Sequence, residues 1–165
     1  MHKKQKPKNI IYTAIFAAII CVFTIMLKIP AAGGYYHIGD AFVYLAGAFL
    51  PFPGAMLAGA AGGALADLFS GYAAYILPTF VIKALVAACF TNKKTKILCG
   101  KNLAAVALAS GITVGGYYIT EAVMLKSFTA AMASLYGNVG QAAASAAVFI
   151  AAGAAIDKGK FKDKI

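Results

Sequence analysis

From Asn9 to Leu27 the chain runs without one charged side chain, and similar runs recur almost to its end. No other feature limits its possible folds so strongly. A helix needs about 20 mostly apolar residues to cross the hydrocarbon of a bilayer, with a range of roughly 17–25. No water is present there to satisfy backbone groups, so helices and closed barrels are the structures that cross. Six segments read as helical spans: residues 9–27, 38–52, 54–69, 72–90, 102–125 and 137–156. Composition agrees, with 62% hydrophobic and 12% charged residues, against about half and a quarter in a soluble domain. Residues 1–165 are therefore expected to form a single integral membrane domain, all-α, a compact polytopic six-transmembrane-helix bundle. The Lys-rich start and apolar run of Met1–Ala32 look like a signal peptide. The run is longer than the roughly 7–15 residues of such a segment, so it is read as the first span.

Segment 38–52 is the short one, only ~22 Å at 1.5 Å per residue. Lysine placement decides whether it spans. All basic residues are Lys, and most of the 15 stand at 3, 4, 6, 8, 93, 94, 96, 101, 158, 160, 162 and 164. Six spans gather all of these on one face; five would split them. An excess of Lys marks cytoplasmic loops, so both termini and the 91–101 loop are expected in the cytoplasm. The outer loops then fall at about 28–40, 70–75 and 126–136. A net charge of +10 could suggest nucleic acid, but the lysines lie in tails and one loop. No soluble domain exists to carry a groove-reading element, so no nucleic acid partner is expected; membrane lipids are.

Small residues recur one helical turn apart: Gly54 with Ala58, Gly59 with Gly63, Gly111 with Gly115, and Ala143 with Ala147 and Ala151. Such spacing lets helices approach closely in lipid. Ionisable residues inside spans are costly, roughly 2.5–3.5 kcal/mol each at a helix centre, so the few present are informative. Asp40, Asp67 and Glu121 all fall in the outer half under this topology, and Lys83 lies ~16 Å deep at 1.5 Å per residue. Most tyrosines join them. Thr79 and Lys83, and likewise Tyr117 and Glu121, stand four apart and share a helix face. Apolar walls with a few placed polar groups are what a small-molecule pocket requires. The candidate binding residues are Lys83, Glu121, Tyr36, His37, Asp40, Tyr75, Thr79, Tyr117 and Asp67.

Each has a plainer reading. Lys83 could pair with Glu121 or Asp67, the tyrosines could form an interfacial belt, His37 could be an ordinary loop residue, and Asp40 could be a helix N-cap. Gly33 and Gly34 would let the first outer loop fold back, bringing Tyr35, Tyr36 and His37 over the pocket mouth. No zinc-protease or nucleophile-elbow motif occurs. "GAAIDKGKF" misses the phosphate-loop spacing and has no Ser or Thr after its Lys. Cys21, Cys89 and Cys99 lack metal-ligand spacing. No catalytic residue, metal or cofactor is expected.

Three stretches, "YYHIGDAFVYLAG", "GAMLAGAAGGALADLFSGY" and "LPTFVIKAL", resemble the substrate-binding S components of energy-coupling factor (ECF) vitamin transporters. The likeness is to the branch with riboflavin, hydroxymethylpyrimidine and pyridoxine-type uptake. The resemblance implies a bacterial cytoplasmic-membrane subunit that captures a small water-soluble vitamin or precursor from outside. It would deliver that ligand with a transmembrane T component and two ATPase subunits. A small-residue motif on the first helix contacts the T component in the family, and Ala14 and Ala18 match it. The alternative is a small membrane enzyme or a structural subunit of another complex.

Overall fold

A computed structural model describes residues 5–31 and 34–164. Among them are six α-helices: α1 (Gln5–Met26), α2 (Asp40–Phe49), α3 (Phe52–Ser70), α4 (Ile76–Ala88), α5 (Gly100–Met124) and α6 (Phe128–Lys158). α1, α3, α5 and α6 are long and apolar enough to cross a membrane, whereas α2 and α4 are shorter. Large apolar side chains such as Ile10, Leu57, Leu108 and Val139 face outward, as lipid-facing positions do. The chain is a polytopic, all-α membrane protein, interrupted by one short hairpin.

That hairpin is a departure from the expected plain turn. β1 (Lys28–Ala31) pairs antiparallel with β2 (Gly34–His37), with Lys28 opposite His37 and Ile29 opposite Tyr36. Pro30 cannot continue α1, and Ile29, Tyr35 and Tyr36 are residues that suit a pleated, half-buried surface. Gly33, expected to help the chain reverse, lies outside the described residues.

α2 occupies the middle of the bundle. Its ten residues cover only ~15 Å, and Ala41, Val43, Tyr44, Ala46 and Ala48 are all fully buried. A helix that is apolar all round belongs inside a core. It stops at Leu50, whose extended backbone follows from the proline after it. Pro53 then falls in the first turn of α3, where its missing N–H costs nothing. Tyr44 stacks on Phe90 at 4.9 Å between centroids, and Phe149 meets both rings edge-on.

α3 shows what small residues do in this bundle. A Cβ on Gly62 would stand 2.7 Å from the Ala17 carbonyl of α1, and one on Gly63 would stand 2.8 Å from the Thr79 methyl of α4. The other small-residue pairs do not behave this way. Gly111 and Gly115 have nothing within 4 Å of an added Cβ, and Ala143, Ala147 and Ala151 are exposed. Their spacing reflects a thin lipid-facing surface rather than helix contact.

α6 corrects the expected loop at 126–136. Only Leu125 to Ser127 join α5 to α6, because the Ser127 hydroxyl accepts the Ala130 N–H at 3.1 Å and caps the helix. A Ser N-cap satisfies one of the orphan donors of a helix start. The buried face of α6 below this cap carries Ser134, Asn138, Gln141 and Ser145, a polar stripe pointing into the bundle.

Candidate functional site

The polar side chains of α2, α4, α5 and α6 converge at the end of the bundle that carries the hairpin. Asp40, the first residue of α2, is 0% exposed and Lys83 is 1% exposed. Lys83 Nζ lies 2.5 Å from Asp40 Oδ1. The pairing expected for Lys83, with Glu121 or Asp67, is therefore replaced by one with Asp40. The central position of α2 sets that choice. Asp40 is not the N-cap either: Gly39 takes that place without a side-chain bond. The other carboxylate oxygen accepts from Gln141 Nε2 at 3.1 Å and from Thr113 Oγ1 at 3.4 Å. An ion taken out of water needs its remaining valences met, and the second oxygen of Asp40 has two donors for this.

Gln141 ties this pair to the hairpin. Its carbonyl oxygen accepts the His37 backbone N–H at 3.1 Å, so one carboxamide fixes both β2 and Asp40. His37 Nδ1 accepts the Gly39 N–H at 3.0 Å and must therefore carry a lone pair, not a proton. Burial lowers the His37 pKa to about 4; Lys83 adds to the effect and Asp40 opposes it. The next strand position but one is anchored separately: Tyr35 donates its hydroxyl to Asp67 Oδ1 at 2.7 Å. Burial, reinforced by Asp67, raises the Tyr35 phenol well above its usual range.

A pocket of about 30 Å³ lies among these groups. Of the candidate residues, Tyr36, His37, Asp67, Tyr75, Tyr117 and Glu121 line it. Lys83, Asp40 and Thr79 do not; they support it from below. Lys83 Nζ sits 4.9 Å from the centroid of the Tyr117 ring, a cation–π contact. Thr79 Oγ1 shares a hydrogen bond with the Tyr117 hydroxyl at 3.0 Å.

Four lining residues stand outside the candidate set: Tyr35, expected only over the pocket mouth, and Tyr72, Asn138 and Gln141. The signal for the last two was present as a polar repeat along α6, at 134, 138, 141 and 145. Tyr35 and Tyr72 pack at 4.9 Å, and Tyr75 and Tyr117 at 6.4 Å, so flat aromatic faces border the space. Two buried atoms there have no hydrogen-bond partner: Asp67 Oδ2 and Asn138 Nδ2. Both residues are 4% exposed. Native proteins rarely leave such groups unpaired. A small molecule could meet an acceptor on one side of this pocket and an amide donor on the other.

Elsewhere, Ala14 and Ala18 lie exposed on α1, on a face with Ile11, Ile15 and Val22. Among the described residues, no group of three or more His, Cys, Asp or Glu is placed to hold a metal. A family model described as "ECF-type riboflavin transporter, S component" matches residues 4–158. No curated protein matches the chain.

Proposed function

Because the chain belongs to the S components of ECF-type riboflavin transporters, a family of membrane transport subunits, we propose that it captures a vitamin-like aromatic heterocycle at the hairpin end of the bundle. The observation that carries this reading is the pair of buried, unpartnered atoms, Asp67 Oδ2 and Asn138 Nδ2, in a pocket walled by tyrosines. A flat ring with a donor and an acceptor on its edge would satisfy both, and the rings would cover its faces. Riboflavin, named by the matching family, is the first ligand to try. Glu121, Tyr36, His37, Tyr75 and Tyr117 are the further contacts in this reading. Lys83, Asp40 and Thr79 hold the pocket in shape.

The Lys-rich end would face the cytoplasm of a bacterial cell and the hairpin end would face outside. The exposed Ala14–Ala18 face of α1 would dock on a T component, with ATP hydrolysed by two separate ATPase subunits. A structural-subunit reading draws support from the Asp40–Lys83 pair, since such a subunit would neutralise its charges internally. It leaves the open valences of Asp67 and Asn138 without a role.

One experiment tests capture directly: mass spectrometry of small molecules released from the purified chain, followed by titration of the chain stripped of them. An aromatic heterocycle that rebinds to the wild type, and at least tenfold more weakly to Asn138→Leu, is expected. A stripped protein that binds nothing, or a variant that binds as tightly as the wild type, would sink the proposal. Orientation is tested by labelling Cys99, in the Lys-rich loop, with a membrane-impermeant maleimide. Labelling in intact cells as rapid as in opened membranes would reverse the topology.

A further inference from the structure

The pocket between Asp67 and Asn138 is too small for the work proposed above. Its volume is about 30 Å³, whereas an apolar cavity that holds a single benzene ring measures about 150 Å³. A cleft of about 420 Å³ lies beside it, at the corner where α5 meets α6, bordered by Met124, Leu125 and Ala133. Tyr36, Tyr75 and Glu121 line both spaces. Tyr36 is the separable one. Alternation along β2 sends Tyr35 and His37 to one face and Tyr36 to the other. Tyr35 is held by Asp67, and His37 by Gln141. The Tyr36 ring instead rests directly on Gly137 of α6, in the space that any Cβ there would fill.

We propose that Tyr36 is a movable partition: when its ring leaves Gly137, pocket and cleft become one chamber. That chamber takes a fused-ring ligand with its polar edge against Asp67 and Asn138 and its remainder in the cleft. The hairpin keeps both of its anchors throughout, so only one side chain has to turn. No Lys lines either space among the described residues, and the Glu121 carboxyl borders both, so the chamber disfavours an anionic remainder. This rests on the capture reading above and adds the size class of what is captured.

The test is fluorescence titration of the full purified chain with riboflavin, a three-ring system, and competition by pyridoxine, a single ring. Ala133 and Ala130 both line the cleft and are exposed, so Ala133→Trp and Ala130→Trp fill it from two positions without disturbing the core. Each is expected to weaken riboflavin at least tenfold, with pyridoxine at least tenfold weaker than riboflavin on the wild type. Tyr36→Ala should speed both association and dissociation several-fold, which a purely structural tyrosine would not do. If Asn138→Leu loses riboflavin while both Trp variants keep it, capture stands and the shared chamber falls. Tighter binding of pyridoxine, or unchanged association in Tyr36→Ala, also overturns it. A wild type that binds no riboflavin overturns the chamber together with flavin capture.

Discussion

The two ends of the bundle use buried polar groups in opposite ways. At the Lys-rich end the buried Asn102 and the half-buried Asp157 use all of theirs. Asn102 accepts the Thr91 N–H at 2.8 Å and donates to the Thr91 and Ile97 carbonyls at 3.1 and 2.9 Å. Asp157 uses one oxygen on the Ile97 N–H at 2.7 Å and the other on the Leu98 N–H at 2.9 Å. Lys162 donates to the Asn92 carbonyl at 3.0 Å. These side chains pin an irregular loop against the helix ends. At the hairpin end Asp67 spends one oxygen on Tyr35 and keeps the other, and Asn138 keeps its amide nitrogen. An unmet buried valence costs about 1–3 kcal/mol. The Tyr44 and Ser145 hydroxyls are also unpaired in the core, but among the described residues they line no pocket of this kind; two unmet valences meeting in one tyrosine-lined pocket separate a candidate site from a scaffold better than polarity does.

The largest effect that would test this contrast comes from Asp40, which belongs to the hairpin end but acts as scaffold. Asp40→Asn leaves the Lys83 ammonium buried without a counter-charge. Breaking such a pair costs about 3–5 kcal/mol, so thermal unfolding in detergent should fall steeply. The double variant Asp40→Asn with Lys83→Met should recover most of the loss; a double variant no more stable than the single would mean that the pair is not the cause. Next in size is Asn102→Ala, which removes three hydrogen bonds at the opposite end. A loss of about 2 kcal/mol is expected, with ligand affinity unchanged. A fall in affinity would show that the two ends are not independent.

Much of this arrangement was legible in the residues, and the gaps have physical causes. Uncharged runs located the helices because lipid tolerates few charges. Lysine counting brought Asp40, Asp67, Glu121 and Lys83 toward one end. It could not say which acid Lys83 meets, since that depends on α2 standing in the centre rather than on depth. The expected sixth span starts at 137, whereas the Ser127 cap begins the helix nine residues earlier. The buried stripe of Ser134, Asn138, Gln141 and Ser145 was readable at helical spacing. The alanines at 143, 147 and 151 lie on the exposed face. In a membrane helix apolar residues suit either side, so the polar stripe is the one that marks the inside.

Asn138→Leu turns the contrast around at a single position. It removes an unpaired polar atom from a buried place, so stability should hold or rise slightly, while affinity for the captured heterocycle falls about tenfold, or about 1.4 kcal/mol. Equal losses of stability and affinity would make Asn138 another scaffold residue.

The smallest expected effect is a graded one with pH, at His37. Folded His37 binds its proton at about pH 4 instead of 6.5, because it is buried and its Nδ1 already accepts the Gly39 N–H. Between those two values the unfolded chain holds more protons than the folded one. Stability is therefore complete above about pH 6.5 and declines as pH falls toward about 4. Protonation would displace the Gly39 N–H from Nδ1 and put a second cation beside Lys83, so the strain is local to β2 and the start of α2. Hydrogen exchange, corrected for its intrinsic pH dependence, should quicken at His37 and Gly39 through that window. The Thr91 amide, held by the uncharged carboxamide of Asn102, should stay protected. His37→Gln should remove the pH dependence at the hairpin. If Thr91 opened in step with Gly39, the two ends would respond as one unit, and the division between a closed scaffold and an open site would fail.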